Sequence, residues 1–136
     1  LPNKILFNAI NDMSFLKYFV NRIRLSSKIN KIIIATTEDK KDDIIEDICI
    51  QNNWDYNRGS ENDVLDRFYQ TAKKFNSKHI IRITSDCPLI DNNIIDDMIN
   101  MYNLSNIDCL NMMYYGKHGI TQCQTAFGRC VISCMK

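Results

Sequence analysis

The sequence feature that most constrains the fold is an uninterrupted β-branched run, Lys31-Ile32-Ile33-Ile34-Ala35-Thr36. Such a run lacks apolar–polar alternation and is typical of a strand that helices cover on both faces. A second apolar run, Ile80-Ile81-Arg82-Ile83, ends in small polar residues and Asp86. Because helical patterns lie between the two runs, the sequence predicts an α/β fold with a mostly parallel sheet and right-handed crossovers.

The other elements follow from the spacing of apolar residues. A period of 3.6 predicts helices over residues 13–25, 41–51, 62–75 and 93–102, and shorter runs predict strands at 54–56, 78–84 and 107–110. The stretch 114–136 is less regular and predicts a strand near 120–125, then a short apolar helix or strand. The helix over 62–75 is predicted to bury Val64, Leu65, Phe68, Tyr69 and Ala72.

Composition excludes several classes of protein. The 136 residues are predicted to form a single domain, and the net charge of +1 provides no general attraction for nucleic acid or acidic membranes. No apolar run approaches the roughly 20 residues of a membrane span. The six cysteines form no CxxC pair, which favours reduced thiols and a cytoplasmic location. The chain starts at Leu1 rather than Met and is predicted to be a fragment.

Asp86 is the first candidate site residue. It follows a buried strand, and open α/β sheets bind their ligands at the carboxyl ends of their strands. A magnesium ion takes one or two carboxylates together with phosphate oxygens, so one aspartate at this position suits a metal beside a nucleotide. The alternative is that Asp86 only caps a helix or forms a turn.

The second candidate is the segment from Arg58 to Arg67. Gly59 allows the backbone to approach a ligand closely, and the helix that follows Asn62 and Asp63 offers free N–H groups. Arg67 lies one helical turn from Asp63 on the same face. The alternative is a capped surface helix with an ion pair between Asp63 and Arg67.

Two further candidates lie near the other strand and near the start of the chain. Asp39 follows the run that ends at Thr36 and is a candidate for a nucleoside pocket, although helix capping explains it almost as well. Lys4 is a cation of the kind that binds phosphate, but the sequence contains no glycine-rich loop beside it.

Four segments together point to one family. They are Leu1-Pro2-Asn3-Lys4, the strand and loop from Ile32 to Asp39, the stretch from Arg58 to Tyr69, and the stretch from Arg82 to Asp91. In order and spacing they resemble the cytidylyltransferases of the spore-coat polysaccharide synthesis type, which are related to the acylneuraminate and KDO cytidylyltransferases. The resemblance covers residues 1–110, the family-like core, and residues 111–136 are atypical.

The resemblance implies a fold, a reaction and a set of site residues. The fold is a Rossmann-like, GT-A-like nucleotidyltransferase domain with three α/β/α layers. The reaction transfers CMP from CTP to a sugar or sugar acid, with Mg²⁺ as cofactor, and makes a CMP-sugar for surface polysaccharide. Members are often homodimers. The matching positions are Lys4 and Asp86 for catalysis, with Asp86 on the metal, and Thr36, Asp39, Arg58, Gly59, Ser60, Asn62 and Arg67 for the nucleotide.

The sequence also departs from the family. The strand and arginine-bearing loop that precede the Leu-Pro-x-Lys motif are absent, and no acidic pair follows Gly119. We therefore expect a sheet that lacks its central strand, with unpaired backbone, and a chain that is weakly active or inactive by itself. Two alternatives stay open: a degenerate, non-catalytic nucleotide-binding or scaffolding member of the same fold, and a transferase that uses another nucleotide.

Overall fold

The computed structural model describes residues 6–10, 12–85, 89–105, 114–116, 119–121 and 130–135, and the fold is given for these residues. They form two layers of helices around a sheet, with two short hairpins. The strands are β1 (Asn8–Ile10), β2 (Met13–Ser14), β3 (Ile29–Thr37), β4 (Asp55–Gly59), β5 (Ile80–Thr84), β6 (Tyr114–Gly116), β7 (Gly119–Thr121) and β8 (Cys130–Met135). The helices are α1 (Phe15–Ile23), α2 (Asp43–Gln51), α3 (Val64–Lys74) and α4 (Asn92–Leu104), and a 3₁₀ turn covers Lys40–Asp42.

The main sheet has the strand order β4-β3-β8-β5. Strands β3 and β4 pair in parallel, whereas β8 is antiparallel to both of its neighbours, so β3, β4 and β5 all run in one direction. The α/β class and the common direction of these three strands are confirmed. The hairpins β1–β2 and β6–β7 form separate two-stranded sheets.

The position of β8 corrects one expectation. The sequence predicted a sheet that lacks its central strand, with unpaired backbone. Strand β8 lies between β3 and β5 and pairs with both, with Cys130 opposite Ala35 and Thr84, so the backbone of these strands has partners there. The physical reason is that buried N–H and C=O groups need partners, and an apolar segment can supply them in either direction.

The core has two parts, one on each face of the sheet. Helices α1, α2 and α4 pack on one face around Phe19, Ile34 and Ile45, and α3 packs on the other face against Ile33 and Ala35. Alternation along β3 explains the division, because consecutive side chains point to opposite faces. This arrangement provides the predicted α/β/α layers.

Helix α3 is rotated relative to its predicted orientation. Phe68 and Ala72 are buried as expected, but Leu65 and Tyr69 are 81% and 59% exposed, so their predicted burial is wrong. Polar residues take their place, since Arg67 and Thr71 are buried.

No helix in the described part of the chain is long and apolar enough to cross a bilayer.

The two-faced core gives a test with a matched control. Replacing buried Ile34 by Ala leaves a cavity between sheet and helices and is expected to lower the free energy of unfolding by about 3 kcal/mol. The same change at Ile50, whose side chain is largely exposed on α2, is expected to cost less than about 1 kcal/mol. Urea denaturation measures both, and equal losses would contradict the assignment of the core.

Candidate functional site

Three strands end at one edge of the sheet. In the parallel pair, Thr37 of β3 lies opposite Gly59 of β4. Thr84 of β5 lies at the level of Ala35, because both pair with Cys130. The loops after β3, β4 and β5 therefore start from the same edge, as the sequence predicted. Of the predicted site residues, Lys4 and Asp86 lie outside the described residues.

A buried polar cluster lies at the end of β3. The hydroxyls of Thr36 and Thr37 donate to one carboxylate oxygen of Asp42, at 3.3 and 2.7 Å, and all three side chains are buried. Thr36 was predicted at this edge, whereas Asp42 was missed. The signal was weak, because Asp42 is one of several acidic residues at the start of a predicted helix.

Asp39 has a surface role in this structure. Its carboxylate accepts a hydrogen bond from the backbone N–H of Lys41 at 2.8 Å and so caps the 3₁₀ turn, which was the alternative interpretation. That hydrogen bond, together with the Lys41 ammonium, lowers the pKa of Asp39. Lys41 also pairs with Glu61, and this contact joins the loops after β3 and β4.

Arg58 connects β4 to the loop after β3. Arg58 is the second-last residue of β4, since this strand extends to Gly59 rather than ending at residue 56. Its Nε and Nη2 donate to the carbonyls of Thr37 and Asp39 at 2.8 and 2.9 Å. Its Nη1 and Nη2 also contact the carboxylates of Glu46 and Asp43 at 2.5 and 2.7 Å. All three guanidinium nitrogens therefore bind protein atoms.

Glu46 belongs to the same network. Its carboxylate accepts a hydrogen bond from the Tyr56 hydroxyl at 2.7 Å in addition to the one from Arg58. These two hydrogen bonds, the first one the larger influence, hold the pKa of Glu46 below its ordinary value of 4.5. The ends of β3, β4 and α2 are thus tied together beneath the loops of the edge.

Gly59, Ser60 and Arg67 are brought together at the end of β4. A Cβ atom on Gly59 would meet the Cγ of Arg67 at 3.0 Å and its backbone Cα at 3.4 Å, so a larger residue would require Arg67 to move by a few tenths of an ångström. Arg67 is 2% exposed, and its Nη1 donates to the carbonyl of Ser60 at 2.5 Å. The direct contact of Arg67 with a nucleotide stays a prediction.

The start of α3 lies at the same edge. Asp63 caps the helix by accepting from the N–H of Asp66 at 2.8 Å, and the Ser60 hydroxyl accepts from the N–H of Asp63 at 3.0 Å. The predicted cap is confirmed. Arg67 binds the Ser60 carbonyl in place of the alternative ion pair with Asp63. Asn62 is exposed on the turn between strand and helix.

The described residues contain no cluster of metal-ligating side chains. Within the described segments, no group of three or more His, Cys, Asp or Glu side chains is arranged to hold a metal ion. A magnesium ion that a single carboxylate holds together with phosphate oxygens does not need such a group. The assignment of a metal to Asp86 therefore stays a prediction.

Comparison with known proteins identifies the group to which this arrangement belongs. A family model described as cytidylyltransferase matches residues 1–128. A solved cytidylyltransferase from Leptospira borgpetersenii superimposes with a TM-score of 0.69 at 30% identity, covering 98% of this chain and 54% of the other.

Two curated relatives match most of the chain. An uncharacterized protein of Methanocaldococcus jannaschii is 38% identical over 108 residues, which are 79% of this chain and 44% of the relative. The spore coat polysaccharide biosynthesis protein SpsF of Bacillus subtilis is 36% identical over 106 residues, 75% of this chain and 44% of the relative. The matched region spans less than half the length of each relative.

The buried cluster at the end of β3 can be tested with two substitutions at Thr37. Thr37→Val keeps the shape but removes the hydroxyl that donates a hydrogen bond to the Asp42 carboxylate, and it is expected to lower the free energy of unfolding by about 1–3 kcal/mol. Thr37→Ser keeps the hydroxyl and is expected to cost about 1 kcal/mol or less. Thermal or urea unfolding measures both, and an equal cost for the two variants would argue against this hydrogen bond.

The lowered pKa of Glu46 predicts a dependence of stability on pH. A carboxyl whose folded pKa is depressed stabilises the fold above its ordinary pKa of 4.5, and this contribution is lost as the pH falls through the lower folded value. Glu46→Gln is therefore expected to flatten the fall in Tm between about pH 6 and about pH 3. Glu38→Gln, at an exposed loop residue, is the control for loss of a negative charge. Identical pH profiles for wild type and Glu46→Gln would contradict the role of Glu46.

Proposed function

The chain belongs to the cytidylyltransferase family, and we propose that it forms the nucleotide-binding part of an enzyme that transfers CMP from CTP to a sugar or sugar acid. The observation that supports this most is the register of β3 and β4, which places the loop after Thr37 beside the turn after Gly59. Both loops carry segments of the family motifs. The likeness to a protein of spore coat polysaccharide biosynthesis supports surface polysaccharide as the destination of the product.

The predicted nucleotide residues divide by position at this edge. Asn62 is exposed, so its side chain has room to face a ligand, whereas Asp39 is half-buried and its carboxylate binds Lys41. Thr36, Arg58 and Arg67 bind protein atoms within the edge. We assign Asn62 to contact with the nucleoside and the residues that bind protein atoms to the shape of the loops.

Catalysis is assigned to residues that precede and follow this region. In the proposed reaction a sugar oxygen attacks the α-phosphorus of CTP and pyrophosphate leaves, with no covalent enzyme intermediate. Lys4 would neutralise charge on the triphosphate. Asp86 would hold Mg²⁺, which supplies charge neutralisation at the phosphate oxygens when it is bound. These roles belong to the whole protein, since the chain spans less than half of the curated relatives that it matches.

The proposal predicts magnesium-dependent binding of CTP. Calorimetric titration with CTP, UTP, GTP and ATP, each with and without Mg²⁺, is expected to give the strongest binding for CTP with Mg²⁺. Asp86→Asn is expected to weaken that binding at least about tenfold, because one charged ligand of the metal is lost. Asp97→Asn, on the exposed side of α4, is the matched control and is expected to bind CTP as the wild type does.

The outcomes separate the alternatives. Absence of CTP binding under all conditions would contradict the proposal. A stronger response to another nucleotide would indicate a transferase of different base preference. Binding of CTP that does not depend on Mg²⁺ or Asp86, without release of pyrophosphate in the presence of sugar acceptors, would favour a non-catalytic nucleotide-binding protein.

A further inference from the structure

We propose that Arg67 is a positioning residue, which holds the turn from Ser60 to Asp63 in place from inside the protein rather than touching the nucleotide. The inference rests on the proposed function, because it concerns how the nucleoside loop of that site obtains its shape. It assigns to Arg67 a role other than the direct contact with the nucleotide that the family resemblance implied.

The first observation is the environment of the guanidinium. Arg67 is almost completely buried, and among the residues that the structure describes its Nε has no hydrogen-bond partner while its Nη1 donates to the Ser60 carbonyl. None of the ion pairs found in the described segments includes Arg67. Burial of a charge without an opposite charge is unfavourable. A buried, incompletely satisfied group of this kind calls for an explanation beyond stability.

The second observation is the glycine beneath this side chain. Gly59 leaves room for Arg67 to lie across the end of β4, and the contact distances of 3.0, 3.3 and 3.4 Å to Cγ, Cβ and Cα show that no other residue fits without movement. The same arginine then reaches the next carbonyl in the chain, that of Ser60. Arg67 therefore fixes both the approach of α3 to β4 and the direction of the first peptide of the turn.

The rest of the turn is held from its other end. The N–H of Asp63 donates to the Ser60 hydroxyl, and Asp63 in turn caps α3. Glu61 and Asn62 lie between these two fixed points and are exposed. A change at Arg67 is expected to move these two residues without removing any of their own groups. A lysine would keep the charge but not the fixed planar fork of the guanidinium.

The test compares Arg67→Lys with Arg24→Lys, a matched control at an exposed arginine beside Trp54, outside the turn. Two quantities are measured on the intact protein: the Kd for CTP with Mg²⁺, and amide hydrogen exchange over residues 60–66. Arg67→Lys is expected to raise the Kd about tenfold, as for loss of one supporting hydrogen bond, and to speed exchange in the turn. Turnover at saturating CTP is expected to fall less than about threefold, because the substrate and the metal keep their own contacts.

Gly59→Ala is a second test that keeps every atom of Arg67. It is expected to displace that side chain and to reproduce both effects of Arg67→Lys. Arg67→Ala removes the Cγ atom nearest to Gly59. In that background, Gly59→Ala is expected to change the Kd for CTP and the exchange rate of the turn less than it does in the wild type. Additive effects would overturn the coupling between the two residues.

The outcomes decide between positioning and contact. A weaker affinity with unchanged exchange in the turn would assign Arg67 to direct contact and overturn the proposal. Unchanged affinity and unchanged exchange would overturn it as well. If the wild type does not bind CTP, the proposed function fails, and the exchange measurements alone then decide whether Arg67 holds the turn.

Discussion

The parallel pairing of β3 with β4 is the constraint on which the candidate site depends. Five consecutive residue pairs, from Ile33 with Asp55 to Thr37 with Gly59, place the ends of both strands at one level. A shift of one residue would turn the inward-facing side chains of β4 to the opposite face. The backbone N–H of Glu38 donates to the Gly59 carbonyl, and this hydrogen bond extends the pairing of the two strands into the loops. The register of the sheet therefore determines which residues meet at the candidate site.

At this edge, two arginines bind carbonyl groups that lie at the strand ends or just beyond them. Arg58 donates to Thr37 and Asp39, and Arg67 donates to Ser60. The two differ in their electrostatic surroundings, because Arg58 has two carboxylate partners and Arg67 has none among the ion pairs described. The charge of Arg58 is thus balanced by carboxylates, and this residue links β4 to its neighbours. The burial of Arg67 carries a desolvation penalty that a role in stability alone does not explain.

The sequence was sufficient for those parts of the fold that depend on local pattern. The run at Ile32–Ala35 predicted a strand buried on both faces, and Asp63 predicted the start of α3. The orientation of α3 could not be predicted, because Leu65 and Tyr69 extend the apolar pattern while the buried side includes Arg67 and Thr71. That exchange depends on contacts with β4 and the turn, which helical periodicity does not encode. The place of β8 is likewise set by pairing between segments far apart in the sequence.

The same distinction applies to the site residues. Thr36 was located correctly near the end of β3, because the long β-branched run is a strong local pattern, whereas β4 was predicted to end at residue 56 and extends to Gly59. The direction of a side chain is not local, and a polar residue at a strand end can face the ligand or the protein. Asp42 and Arg67 face the protein and are buried, whereas Asn62 faces outward. Buried polar groups have fewer alternative arrangements than exposed ones, since each needs partners at fixed distances. A loop supported in this way enters a binding event already ordered, and less conformational entropy is lost when the ligand binds.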